Sequence, residues 1–120
     1  MTRVIICGSR TFADKALLTE SLDTILSGLG EVEIVSGHAK GADALAEEYA
    51  EQHGLKLSVF RADWKRYGKA AGPRRNQQML EYAMEKEPVV VAFWDGRSRG
   101  TRNMIDQATA GDAAVHIIRY

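Results

Sequence analysis

The chain is poor in the residues that let covalent or metal chemistry hold a fold together. Cys7 is its one cysteine, so an internal disulfide and a thiolate metal cluster are both excluded. It lies inside the first apolar run and reads as a small buried hydrophobe. His38, His53 and His116 are scattered without ligand spacing, so surface or packing roles suit them and no metal is expected. The sequence holds two prolines and no low-complexity stretch, and so no candidate linker. No apolar run is long enough to cross a bilayer, and Met1-Thr2-Arg3 does not open a signal peptide. The expectation is a cytoplasmic protein without a membrane partner. The formal net charge is zero.

What is present is ordinary in bulk. With 120 residues, 45% hydrophobic and 27% charged, the chain predicts one domain over 1–120 with a core of its own. Short apolar runs rich in β-branched residues occur at 4–7, 32–35, 57–60, 89–94 and 115–118, and these predict five strands. Between them, helical spacing recurs in Leu18, Leu22 and Ile25, in Leu45, Ala46 and Tyr49, in Met79, Leu80 and Ala83, and in Met104, Ile105 and Ala108. Asp14 suits the cap of the first helix, and Gly28 or Gly30 its end. Gly54 suits the end of the second, Pro73 the first turn of the third and Gly111 the end of the fourth. Alternation of this kind implies an α/β fold, a mainly parallel sheet with helices on both faces.

In such a sheet, function gathers on the loops leaving the carboxyl ends of the strands. Here those are residues 8–14, 36–43, 61–75 and 95–102. They carry eleven basic side chains against four acidic ones, whereas the rest carries five against twelve. A neutral protein therefore has an edge of +7 and a body of −7. Exposed loops that merely collected charge would collect both signs, so the imbalance points to an anionic ligand.

The segment Ser36-Gly37-His38-Ala39-Lys40-Gly41-Ala42-Asp43 interrupts an apolar run and leads into a helix. Two readings stand side by side. Gly37 and Gly41 let a backbone with free N–H groups approach an anion, or they shape a tight turn with Asp43 as the helix N-cap. An Asp43 contact to a ribose would look the same in sequence. Gly8-Ser9-Arg10 opens as a dinucleotide fingerprint does, but Arg10 stands where the second glycine belongs, and no phosphate loop of the triphosphatase type is present. Ser9 and Arg10 suit a phosphate or carboxylate through their side chains; Arg10 equally suits a structural pair with Asp14.

Asp95-Gly96-Arg97-Ser98-Arg99-Gly100-Thr101 repeats the pattern of strand, glycines and helix. Gly96, Ser98, Gly100 and Thr101 are candidate ligand contacts, with Thr101 as cap or anion donor. Asp95 has three roles open: a ribose contact, an acid or base, or a turn. The long segment from Arg61 to Arg75 mixes Trp64 and Tyr67 with Arg74, Arg75 and other cations, as a ligand cover does; alternatively its aromatics anchor it to the core.

Together, Gly8-Ser9-Arg10 with Phe12 and Asp14, the 36–43 segment, Gly72-Pro73-Arg74-Arg75-Asn76-Gln77-Gln78-Met79 and Gly100-Thr101 resemble the YspA-like Rossmann-type family of the SLOG superfamily. The resemblance covers almost the whole chain. It implies a Rossmann-like three-layer sandwich that binds nucleotides or nucleotide-derived ligands, and a homodimer or higher homo-oligomer, since relatives commonly assemble. No cofactor is implied.

Two related groups set different expectations. The LONELY GUY-type phosphoribohydrolases carry an arginine-lysine pair ahead of a methionine and a Gly-Thr-x-Glu. Arg75 matches the arginine, but Asn76 stands for the lysine and Asn103 for the catalytic glutamate. The DNA-processing protein A family, which binds single-stranded DNA, is similar at Ser36, Gly37, Ala39, Gly41 and Asp43. The favoured reading is a nucleotide-binding or sensing domain. Its alternatives are a hydrolase of the glycosidic bond, with Arg75 and Asp95 as catalytic candidates, and a single-strand nucleic-acid binder, ranked lower for want of net charge and a second domain.

Overall fold

A computed structural model describes residues 1–120 as five strands and five helices in one chain order. They are β1 (Thr2–Gly8), α1 (Lys15–Ser27), β2 (Val32–Ser36), α2 (Ala42–Gln52), β3 (Lys56–Val59), α3 (Trp64–Tyr67), α4 (Ala71–Met84), β4 (Glu87–Trp94), α5 (Arg99–Ala110) and β5 (Ala114–Arg119). A 3-10 turn, Gly68–Ala70, joins α3 to α4. The strands lie in the order β3-β2-β1-β4-β5, and every pairing is parallel. The expected mainly parallel sheet is thus wholly parallel, and the three-layer α/β architecture is Rossmann-like.

The alternation of apolar side chains on each central strand decides the layers. Val4 and Ile6 of β1 face one way with Ile34, Val91 and Phe93, and α1 and α2 cover them through Leu18, Leu22, Ala46 and Tyr49. Ile5 and Cys7 face the other way with Val35, Val90 and Ala92, beneath Met79 and Leu80 of α4 and Met104 and Ile105 of α5. Cys7 is buried there, as its neighbours dictate. Burial of this kind is worth about 1.5–3 kcal/mol for each large apolar side chain.

One polar group interrupts this core. Glu33 of β2 is fully buried and receives hydrogen bonds from Arg3 Nε at 3.2 Å, Ser58 Oγ at 2.5 Å and the Tyr82 hydroxyl at 2.5 Å. Burial alone would raise its pKa; the three donors outweigh that and hold it below the usual carboxylate range. Arg3 also donates to the Tyr82 carbonyl at 2.6 Å, so the network ties α4 to the amino-terminal half of the sheet. That end is opposite the loops of interest.

Local chemistry sets the helix ends. Asp14 caps α1, accepting from the Leu17 N–H at 3.0 Å, and Gly28 and Gly111 follow α1 and α5. Three expectations change. The segment 61–75 is not a bare loop: Asp63 accepts from the Arg66 N–H, nucleates α3, and the chain then passes through the 3-10 turn into α4. Asp43 is not the cap of α2, because Gly41 occupies that position. Thr101 does not cap α5 either; Ser98 does, accepting from the Thr101 N–H at 3.4 Å.

Gly41 holds a backbone φ of +75° and packs its Cα against the main chain of Ser9 and Arg10, where a Cβ would have no room. A side chain there is strained twice, by conformation and by backbone overlap. Gly41→Ala is expected to lower the unfolding free energy by about 2 kcal/mol or more in urea titration. Gly30→Ala, with nothing within 4 Å of the new methyl, should stay within about 0.5 kcal/mol. Equal behaviour of the two variants would show that the approach of these loops is not tight.

Candidate functional site

The strand order reverses at β1, with β2 on one side and β4 on the other, so the loops after β1 and β4 part and leave a crevice between them. A cleft of about 630 Å³ occupies that place. Gly8, Ser9 and Arg10 form one wall, Ser98, Gly100 and Thr101 another, and Arg75, Asn76 and Met79 of α4 close it from above. A volume in this range suits a small-molecule ligand.

Each wall is held by its own hydrogen bonds. The Ser9 carbonyl accepts from the N–H groups of Phe12 at 3.2 Å and Ala42 at 3.3 Å, which fixes the first loop to the start of α2. The Ser9 hydroxyl meets Thr11 Oγ1 at 3.0 Å and the Tyr120 hydroxyl at 2.5 Å. Tyr120 in turn packs edge-on against Phe12. Arg75 reaches across from α4 and donates from Nη1 to the Gly37 carbonyl at 2.5 Å and from Nε to Asn76 Oδ1 at 3.1 Å. The approach requires Gly37, since a Cβ there would stand 2.6 Å from Arg75 Nη1.

Asp43 is the one acid lining this cleft, among Arg10, Lys69, Arg75 and Arg99. It is only 6% exposed, and its Oδ2 accepts from the Ala39 N–H at 3.1 Å. Burial pushes its pKa from 3.8 up to about 6, although the Ala39 bond and the nearby Arg75 pull the other way. Burial likewise lowers the pKa of Arg75, and Asp43 opposes that. The two charges sense one another without forming an ion pair. Burial raises the Cys7 thiol far above its ordinary value, so it is no nucleophile at neutral pH.

Several candidates lie elsewhere. Asp95 is outside the cleft, and its Oδ1 accepts from the N–H groups of Arg97 at 2.8 Å and Ser98 at 2.9 Å. Those bonds lower its pKa and give it the turn role. Gly96, at φ +84°, sits against the Arg119 guanidinium. Ser36 is fully buried and donates to Glu47 at 2.8 Å, while His38 presents Nδ1 to the same carboxylate. Arg74 turns away, with its Cζ 4.3 Å from the centre of the Tyr67 ring. Gly41 serves the wall through its backbone, and Lys40 and His38 line an adjoining chamber. Trp64, half exposed, stands between the two spaces with Arg10 Cζ 5.6 Å from its ring centre.

The structure brings to the cleft residues that the sequence marked only as motif positions and not as ligand contacts. Gly72, Asn76 and Met79 line the cleft with Arg75, and their spacing along α4 is that of one helical face. Asn103 also lines it, but its Oδ1 accepts from Asn76 Nδ2 at 3.1 Å and Gln107 Nε2 at 2.8 Å. The two asparagines are therefore engaged with each other. No three His, Cys, Asp or Glu side chains converge where they could hold a metal ion, and no helix is long and apolar enough to cross a membrane.

Comparison with known proteins places the chain in a family. The model of the YspA, cpYpsA-related SLOG family matches residues 2–67, which span β1 through α3 and include the Gly8–Arg10 wall and Asp43 of the cleft. The chain is also similar to the Gene 61 protein of Mycobacterium phage D29, at 36% identity over 127 residues that cover all of this chain and 97% of the phage protein.

A buried acid with a raised pKa has a consequence for stability. The folded chain holds the Asp43 proton more tightly than the unfolded chain does, so the charge costs nothing below pH about 4 and its full amount above about 6. Asp43→Asn keeps an acceptor for the Ala39 N–H and removes that cost. It should raise stability at pH 8 by up to about 3 kcal/mol, with the gain vanishing toward pH 4. Urea midpoints measured from pH 4 to 8 test this, and a gain that does not change with pH would refute the buried charge.

Proposed function

This chain belongs to the YspA, cpYpsA-related SLOG family, and on that premise we propose that it is a binding or sensing domain for a nucleotide or nucleotide-derived anion. The observation that carries the reading is the cleft at the strand-order reversal, where Arg10 and Arg75 face a space bordered by a single acid. Guanidinium groups suit phosphate, because their fork of donors matches its oxygens. Arg75 is held at Gly37 and Asn76 before any ligand arrives, which limits the ordering cost of binding. Asp43 suits a ribose hydroxyl as acceptor, and Trp64 offers a face to a base.

A hydrolytic reading has one observation in its favour. Asp43 is a buried carboxylate in the cleft with its pKa pushed up to about 6, a value fit for proton transfer near neutrality. Asp95 does not support that reading, since its carboxylate is taken up by the turn. Nor does Asn103, a neutral amide already bonded to Asn76.

A thermal-shift screen across nucleoside mono-, di- and triphosphates tests the binding reading. A ligand at about 100 times its Kd should stabilise the fold by about 2.7 kcal/mol. Arg10→Ala and Arg75→Ala should each weaken it about tenfold or more, the loss of one charge-assisted contact. No shift across all bases would overturn the reading. Binding confined to single-stranded oligonucleotides and falling steeply with salt would favour nucleic acid instead. Free base released by the wild type and not by Asp43→Asn would favour hydrolysis.

A further inference from the structure

Beside the main cleft lies a second chamber of about 450 Å³, and Arg10, Ala39, Trp64 and Arg75 line both. The two spaces are therefore neighbours that share a wall carrying two guanidinium groups. They differ in charge. The main cleft holds Asp43, whereas the side chamber has Arg10, Lys40, Arg61 and Arg75 and no acid at all. None of these four cations forms an ion pair with any carboxylate of the protein. Cations brought together without counter-charge repel one another, and a multiply charged anion relieves that repulsion.

The chamber's other side is a shaped piece of backbone. His38 is held at φ +58°, a left-handed conformation that few residues other than glycine adopt. The Ser36 hydroxyl accepts the His38 N–H at 3.1 Å, and Glu47 holds both residues through the Ser36 hydroxyl at 2.8 Å and His38 Nδ1 at 3.0 Å. Glu47 thereby anchors the strained loop while staying out of the chamber lining. Strain maintained in this way is found where a loop must present a fixed surface to a ligand.

We propose that the side chamber is a second phosphate subsite, and that the ligand is a nucleotide containing a diphosphate. This rests on the nucleotide-binding reading above. The nucleoside occupies the main cleft beside Asp43, the first phosphoryl group meets the wall of Arg10 and Arg75, and the second passes between them to Lys40 and Arg61. A nucleoside monophosphate would leave Lys40 and Arg61 without a partner. The terminal phosphoryl is either free, as in a nucleoside diphosphate, or esterified to a further group; the chemistry recognised at Lys40 and Arg61 is the same.

Titration calorimetry on the full chain with AMP and ADP, GMP and GDP, and UMP and UDP tests the assignment, and diphosphate esters of the same nucleosides distinguish a free from a substituted terminal group. The preferred diphosphate should bind at least about tenfold tighter than its monophosphate, as one further charge-assisted contact gives. Lys40→Ala with Arg61→Ala, both exposed positions, should remove that preference and leave monophosphate affinity within about twofold. Equal binding of mono- and diphosphate by the wild type would overturn the subsite alone. So would an equal loss for both ligands in the double variant, which is the mark of a general attractive field. If no nucleoside phosphate of any base binds, the nucleotide reading falls and the subsite with it.

Discussion

The close passage of two main chains, Gly41 against Ser9 and Arg10, is the constraint on which the site depends. The Ser9 carbonyl bonds to the Ala42 N–H at 3.3 Å, so the loop after β1 and the start of α2 are one unit. Gly41 can take part because it has no Cβ and tolerates φ +75°. Gly8 makes the same kind of allowance at the end of β1, where a Cβ would lie 2.5 Å from that of Ala42. With the two loops fused, Ser9 and Arg10 face the crevice between β1 and β4 from a rigid base.

On that base the cleft collects groups that a core alone would reject. Asp43 is buried and Arg75 half-buried, both have pKa values displaced by burial, and neither has a carboxylate–guanidinium partner. The contrast with Glu33 is instructive. Glu33 is buried as deeply, yet three donors satisfy it and its pKa falls. One buried carboxylate is thus fully compensated, as structural charges are, and the other is left partly uncompensated where a ligand can reach it. The same division separates the cations: Arg3 is paired with Glu33, while Arg10 and Arg75 line the cleft with no carboxylate partner, Arg75 being held only by the Gly37 carbonyl and Asn76.

Much of this was legible in residue order. Strand positions followed from β-branched runs, helix starts from Asp14 and Pro73, and the basic edge from counting charge by segment, because a parallel sheet sends every such segment to one side. Side-chain direction was not legible. Asp95 and Asp43 look alike as acids beside glycines, but Asp95 folds back onto its own turn while Asp43 reaches from inside α2 to the Ala39 N–H. Ser36 and His38 likewise serve Glu47, eleven and nine residues further along, a pairing that no local pattern announces.

By itself the sequence determined the class of fold and the sheet edge on which its basic side chains gather. These depend on periodicity and composition, which are properties of the chain taken a few residues at a time. Only the tertiary structure decided which cations share one space, which carboxylate lies among them and that the space has two chambers with Arg10, Trp64 and Arg75 between them. Those facts arise where β1, β2, β4 and α4 meet, and they depend on distances between residues far apart in the chain.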